Sequence, residues 1–318
     1  MTVPMQIIRN LQNLKPYHHG CVATIGNFDG VHLGHQTVLA QLAKKAAESH
    51  LPLTVVTFEP QPQEVFRPEQ SPPRLTRFRE KMQALHQYNV DRVLVLTFNK
   101  AFSQLSPDAF IQDLLVNGLG VKYLVVGDDF RFGNGRAGDF AMLRKAGLKQ
   151  GFDVVNMNTF LLDGQRVSST RVRLALSAGD LVCAGKLLGR QYRMSGRVAH
   201  GDKKGRTIGF PTANIHLHRI ATPLRGVFAV NLSGLHGKSF QGVANLGTRP
   251  TVGGMKTLLE VHLFDFDKDI YGRHVHVDFL LKLRDERRFE SFDALKAQIV
   301  LDAEQARAYF LNMPLKKT

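Results

Sequence analysis

The sequence predicts a doubly wound, parallel-sheet α/β domain at the N-terminus, followed by a small antiparallel β-barrel with a terminal helix. Three observations predict it. From about residue 20 to 160, near-continuous apolar runs of strand length alternate with helix-period segments, the pattern of parallel strands covered on both faces. After Tyr192 the runs shorten, alternate in polarity and are separated by glycine-rich turns, as in antiparallel sheet. The final stretch, Phe292–Phe310, returns to helical spacing through Leu295, Ile299, Ala303, Ala306 and Phe310.

Each element follows from its local pattern. Strands are expected over Cys21–Ile25, Leu53–Phe58, Arg92–Leu96, Tyr123–Val126 and Val154–Asn156. The helices between them are expected over Gln36–Ser49, Phe78–Tyr88, Pro107–Val116 and Asp139–Gln150. Right-handed crossovers wind such a chain on both sides of the sheet, and ligands then sit at the carboxyl ends of the strands. Gln61–Pro73 is proline-rich and reads as an ordered loop. Two helices follow, near Thr170–Ser177 and Asp180–Leu187. Barrel strands are expected at Met194–Ala199, Gly226–Leu232, Phe240–Asn245, Leu258–Phe264 and His274–Leu283. The chain is accordingly divided into residues 1–186 and 187–318.

Composition narrows the function. A chain of 318 residues with 43% hydrophobic content supplies two ordinary cores. It has no run of about 18 apolar residues and no signal-peptide pattern. Its two cysteines, Cys21 and Cys183, lie far apart. A cytoplasmic protein without a membrane span is expected, as a monomer or weak homo-oligomer. The net charge of +15 divides into +6 for residues 1–186 and +9 for the remainder. That field attracts polyanions, nucleotides and phosphorylated small molecules alike. An RNA-binding regulator would need a concentrated basic stripe with aromatics. The charge here is dispersed and tryptophan is absent, so no nucleic-acid partner is expected.

The most informative stretch is Gly26-Asn27-Phe28-Asp29-Gly30-Val31-His32-Leu33-Gly34-His35. A strand, a glycine-rich turn and a helix start make a phosphate site, because unpaired N–H groups and the positive end of the helix face the anion. His32 and His35 lie three residues apart at the helix entrance and share a side. The bland alternative is a tight turn that happens to carry histidine. His32-Leu33-Gly34-His35 resembles the HxGH signature of the nucleotidyltransferase superfamily. The longer string resembles the bacterial bifunctional riboflavin kinase/FAD synthetase family.

Three further segments extend the resemblance: Phe58-Glu59-Pro60 on to Phe66, Gly127 to Gly133 with Asp129 and Phe132, and Ser168-Ser169-Thr170-Arg171. It implies a Rossmann-like nucleotidyltransferase domain that adenylylates FMN with ATP. FMN carries an ionised phosphate, so the reaction needs alignment and charge neutralisation rather than a base. The resemblance implies that His32, His35 and the backbone around Gly34 stabilise the α-phosphate. It also implies that Gly26, Asn27, Phe28, Asp29 and Gly30 bind nucleotide, together with Ser168, Ser169 and Thr170. Arg171 would hold the leaving pyrophosphate by a forked contact, and Phe58, Pro60, Phe66, Asp129 and Phe132 would meet the flavin. Singly, a Ser-Ser-Thr run is more often an N-cap and a phenylalanine more often core.

The second half resembles the riboflavin kinase domain through Gly196–Asn214, Asn245–Pro250, Leu258–Asp267 and Leu283–Phe289. Gly201, Lys203, Gly205 and Gly209 read as a flap over phosphates, though GxxxxGK[ST] is absent. The resemblance implies that Pro211-Thr212-Ala213-Asn214 binds nucleotide, with Thr212 and Asn214 supplying oxygens to the Mg2+ of Mg-ATP. Riboflavin attacks through a neutral hydroxyl, so a carboxylate should take its proton. Glu260 matches the family's catalytic glutamate. Arg284 and Phe289 are weaker candidates for the flavin. His216/His218 and His274/His276 read as solvated strand faces rather than zinc sites. A relative of the superfamily acting on another acceptor, such as phosphopantetheine, would have no need of the second domain. ATP, riboflavin and FMN are the expected partners, with flavins as substrate and product.

Overall fold

Six parallel strands form the first sheet of the computed structural model, which describes residues 4–127, 129–157, 159–200, 209–219, 221–235, 237–251 and 254–313. They are β1 (Gln6–Arg9), β2 (Cys21–Ile25), β3 (Leu53–Phe58), β4 (Arg92–Leu96), β5 (Val121–Gly127) and β6 (Asp153–Met157). Their spatial order is β1-β4-β3-β2-β5-β6. From β2 the chain winds outward through β3 and β4, then returns to place β5 on the other side of β2. The order reverses between β2 and β5, which is where α/β sheets bind ligands. The helices are α1 (Leu33–Ser49), α2 (Pro62–Phe66), α3 (Phe78–His86), α4 (Lys100–Ser103), α5 (Pro107–Ala109), which runs into a π-helical stretch over Phe110–Gly118, and α6 (Phe140–Gln150).

Alternate side chains of β2 point to opposite cores. Val22 joins Val38, Leu39 and Leu42 of α1 and Leu85 of α3. Cys21, Ala23 and Ile25 join Leu114 of the π-helical stretch and Leu143 of α6. This two-sided burial is why β2, β3 and β4 have the ends expected from their apolar runs. Three of the differences from the expectation bear on the site. Strand β1 was not foreseen: it has four residues and buries only Ile8. Helix α1 begins at Leu33, three residues early, because His32 caps it. The Gln61–Pro73 loop contains α2, with Pro62 at its first turn. A two-stranded hairpin, β7 (Leu161–Leu162) and β8 (Gln165–Arg166), closes this half.

The second half opens with α7 (Ser169–Ser177) and α8 (Leu181–Leu188). The barrel consists of β9 (Tyr192–Ala199), β10 (Thr212–His216), β11 (Gly226–Leu235), β12 (Lys238–Thr251), β13 (Gly254–Leu263) and β14 (His274–Arg284), closed in the order β10-β13-β12-β11-β14-β9. Every pairing is antiparallel. Helix α9 (Phe292–Leu311) is capped by Ser291, whose hydroxyl accepts from Ala294 N–H at 3.1 Å. Its Ala303, Ala306 and Phe310 pack on Ala229, Phe264 and Leu280.

Chain contacts define two compact units, Met1–Pro72 with Phe78–Ser168, and Pro73–Arg77 with Ser169–Thr318. Helices α7 and α8 therefore group with the barrel, and the expected boundary at 186/187 lies inside α8. The short strap 73–77 groups there too. Its carbonyls accept from Arg173 Nε at Pro73 (2.8 Å), from Arg219 at Arg74 (2.7 Å) and from the Tyr192 hydroxyl at Leu75 (3.2 Å).

A buried histidine makes the first half acid-sensitive. His18 is 2% exposed. Its Nδ1 accepts from Lys15 N–H at 2.9 Å, and its Nε2 has no partner among the described residues. Burial first, then the charges of Arg92 and Lys15, hold its pKa below the ordinary histidine value. An unfolded histidine takes a proton near pH 6.5, while the native ring resists it. Its stabilisation is therefore complete above about pH 6.5 and is lost as pH falls through the native value. We expect Tm to fall between about pH 7.5 and about pH 5.5, and to fall less in His18→Asn, whose amide oxygen replaces Nδ1. Equal falls in both proteins would contradict this.

Candidate active sites

The turn after β2 is built from strained backbone. Phe28 (φ 49°), Gly30 (φ 84°) and Val31 (φ 42°) occupy the left-handed region. A β-branched residue there is an outlier, costing on the order of 1–3 kcal/mol. Phe28 (3% exposed) and Val31 (fully buried) belong to the core against α1, which holds the turn in place. The Phe28 ring lies over Gly26, where an added Cβ would meet it at 3.2 Å. Asp29 is buried in the same turn.

His32 caps α1. Its Nδ1 accepts from His35 N–H at 3.4 Å, so Nε2 carries the ring proton. The His32 and His35 rings stack with centroids 3.7 Å apart and planes 15° apart, and Phe28 lies 4.8 Å from His35. Burial, then His32, then Lys81, drive the His35 pKa well below the ordinary value. His35 is therefore neutral near pH 7, and its buried Nδ1 has no partner among the described residues. Gly34 permits a close approach: an added Cβ would meet the His32 ring at 3.3 Å and the Val167 carbonyl at 3.4 Å.

The carboxyl edge of the sheet also gathers aromatics. Phe58 is core, at 8% exposure, whereas Phe66 is 61% exposed. Phe98, which sequence reading missed, joins them: its ring lies 5.8 Å from Phe58 and 5.5 Å from Phe66. Its position just after β4, level with the end of β3, was the available signal. Phe132 is buried between Phe110 (4.9 Å) and Phe130 (5.6 Å). Pro60 follows a cis peptide bond after Glu59. Asp129 pairs with Arg166 at 3.2 Å, both partners largely exposed. Ser168 ends the first unit, while Ser169, Thr170 and Arg171 form the first turn of α7 in the second.

In the barrel, register does what sequence spacing cannot. Glu260 of β13 lies directly opposite Asn214 of β10 on one side and Asn245 of β12 on the other. Directly opposed residues share a face, so three polar side chains form a row across three strands. Their neighbours Ile215, Leu259, Val261, Ala244 and Leu246 are buried. Thr212 and Asn214 line a cavity of about 480 Å³, with Val198, Asp267, Asp269 and Tyr271 among the other walls. The part of the wall at Lys268, Asp269, Ile270 and Tyr271 was not foreseen, because it lies in a loop beyond the matched segment Leu258–Asp267. His262 donates from Nδ1 to the Pro211 carbonyl at 2.9 Å, fixing the start of the motif. Burial chiefly lowers the His262 pKa. Gly209 takes φ 81°, which suits glycine. Gly201, Lys203 and Gly205 lie outside the described residues.

Arg284 is engaged by α9. Its guanidinium donates to both oxygens of the buried Asp302, at 2.8 and 2.7 Å, and Gln298 donates to the same carboxylate at 2.8 Å. Phe289 lies 5.7 Å from the Arg284 guanidinium and 4.9 Å from that of Arg287. His216 and His218 are 5.9 Å apart, and His274 and His276 are 5.3 Å apart, with His276 bonded to Ser195 at 2.8 Å. Among the described residues, no group of three or more His, Cys, Asp or Glu is placed to hold a metal ion, and no helix is long and apolar enough to cross a membrane.

Known proteins match both halves of the chain. A family model described as FAD synthetase matches residues 14–171, and one described as riboflavin kinase matches residues 188–310. The bifunctional riboflavin kinase/FMN adenylyltransferase of Haemophilus influenzae is 53% identical over 306 residues, covering 96% of this chain and 99% of its own. That of Escherichia coli K12 is 52% identical over 307 residues, covering 96% and 98%. A crystal structure described as a macrolide-efflux protein from Streptococcus pneumoniae superposes with a TM-score of 0.82 at 30% identity, covering 98% of this chain and 100% of that one. With both halves matched in order, and relatives more than half identical along nearly their whole length, the chain belongs to the family of bifunctional riboflavin kinase/FMN adenylyltransferases.

Proposed function

We propose that the barrel half, residues 187–318, phosphorylates riboflavin to FMN, and that the α/β half, residues 1–186, adenylylates FMN to FAD and releases pyrophosphate, each step consuming Mg-ATP. The observation that carries this division is a chemical difference between the two sites. One offers two histidines and backbone N–H groups at a helix entrance, suited to aligning and neutralising phosphate oxygens; the other offers a carboxylate set between two asparagines. FMN arrives with an ionised phosphate and needs no base, whereas the ribityl hydroxyl of riboflavin does.

At the first site, His32 and His35 donate to the oxygens of the α-phosphate, and the N–H groups of the turn from Gly26 to Gly34 bind the triphosphate at the start of α1. Phe66, backed by Phe98, Phe58 and Pro60, takes a face of the isoalloxazine ring, with Asp129 and Phe132 on the β5 side. For Ser168, Ser169, Thr170 and Arg171 we carry over the phosphate and pyrophosphate roles their motif implies. At the second site, Glu260 accepts the hydroxyl proton as the γ-phosphoryl group is attacked. Thr212 and Asn214 are hard oxygen donors on a cavity wall. They suit Mg2+, which takes few protein ligands and keeps water and phosphate oxygens. When bound, Mg2+ neutralises phosphate charge. Gly201, Lys203, Gly205, Gly209 and Pro211 would cover the nucleotide, and Arg284 with Phe289 the flavin edge. The reactions need neither nucleic acid nor a membrane, and we place them in the cytoplasm.

Chromatography of riboflavin incubated with Mg-ATP tests this. FMN should appear first and FAD after it, and a chelator of divalent cations should stop both until Mg2+ is restored. FMN accumulating without FAD would refute the first-site reading; unconsumed riboflavin would refute the second.

A further inference from the structure

Lys81 lies on α3, outside every segment that led to the first site, and it is fully buried. Lysine is almost never fully buried unless it is partnered. Its Nζ donates to Thr57 Oγ1 at 3.4 Å, and the hydroxyl of Thr57, equally buried, donates to the Asn27 carbonyl at 3.4 Å. The relay runs from α3 through β3 to the turn in which Phe28, Gly30 and Val31 adopt left-handed backbone. Its neighbours on α3 that face the core, Met82, Ala84 and Leu85, are apolar. An apolar side chain would fill the Lys81 position at less desolvation cost. An ammonium at this position, joined through Thr57 to the Asn27 carbonyl, is placed to act on the turn after β2.

The neighbouring histidines supply that need. His35 is neutral near pH 7, with Lys81 among the causes. Neutral donors align phosphate oxygens but bring no charge, whereas charge develops on those oxygens in the transition state. A fixed cation in a dry interior acts on them more strongly than one in water.

We propose that Lys81 is a positioning residue for adenylyl transfer: through Thr57 it fixes the Asn27 turn, and its buried charge supports the phosphate behind the His32–His35 pair. This rests on the reading of Gly26–His35 as the phosphate site. Lys81→Met keeps side-chain length and removes the charge; Thr57→Val keeps shape and removes the hydroxyl. Both activities are measured on each protein, so that phosphorylation of riboflavin serves as the internal control. Lys81→Met should lower kcat for adenylylation by about 10²-fold, change KM for ATP by less than about threefold, and leave phosphorylation unchanged. Thr57→Val should lower the same kcat by about tenfold, and the double variant should be no worse than Lys81→Met, since the two act in one relay. Adenylylation by Lys81→Met within about threefold of wild type, or losses that multiply in the double variant, would overturn the proposal. Should Lys81→Met lose its cooperative melt, Thr57→Val decides, and a wild-type kcat there overturns it equally. If His32→Ala, run alongside, also adenylylates normally, the phosphate-site reading falls and takes the proposal with it.

Discussion

His32→Ala is expected to lower FMN adenylylation by about 10²–10³-fold while riboflavin phosphorylation continues at the wild-type rate. The magnitude is that of removing one preorganised donor from a transition state that gathers charge. His32 has two tasks, and they can be separated. Its Nδ1 caps α1, and its ring stacks on His35. Loss of a cap costs about 1 kcal/mol of stability. His32→Asn restores a capping oxygen without restoring the Nε2 donor, so it should recover Tm but not kcat. Recovery of kcat by His32→Asn would show that the histidine acts only by holding the helix end.

The second large effect is expected at the other end of the chain. Glu260→Gln should lower phosphorylation of riboflavin by about 10²–10⁴-fold, the range for losing a general base. It should leave adenylylation of supplied FMN intact. The amide is the same size as the carboxylate and stays opposite Asn214 and Asn245, so Tm should hardly move. A loss confined to KM for ATP would instead assign Glu260 to nucleotide binding. A variant with wild-type kcat would remove it from the chemistry.

What could be read from the sequence follows from which interactions are local. Strands β2, β3 and β4 are bounded runs buried on both faces, so their apolar stretches mark their ends. Strand β10, Thr-Ala-Asn-Ile-His, buries only Ile215; its strand state comes from pairing with β9 and β13, which no local pattern announces. The candidates His32, His35, Thr212, Asn214 and Glu260 could be picked out because each lies in a distinctive string; their roles are those proposed above. Asn245 beside Glu260 was not singled out, because their adjacency is set by the register of two strands. Lys81 was invisible for a different reason. Within Phe78-Arg79-Glu80-Lys81-Met82 it looks like one more charge on a solvated helix, and its burial, with Nζ against Thr57, is set by tertiary packing. Phe98 had a usable signal in its place after β4. The strap 73–77 had none, since its carbonyls are held by Arg173, Tyr192 and Arg219, about 100 to 145 positions further along the chain.

The central claim is that one chain carries two chemically distinct sites, with FMN the product of one and the substrate of the other. The most direct measurement supplies wild type, His32→Ala and Glu260→Gln with riboflavin and Mg-ATP, and separately with FMN and Mg-ATP, and follows FMN and FAD by chromatography. The account predicts that wild type makes FAD from either flavin. His32→Ala should stop at FMN, and Glu260→Gln should make FAD from FMN but nothing from riboflavin. Loss of both activities in either well-folded variant would contradict it.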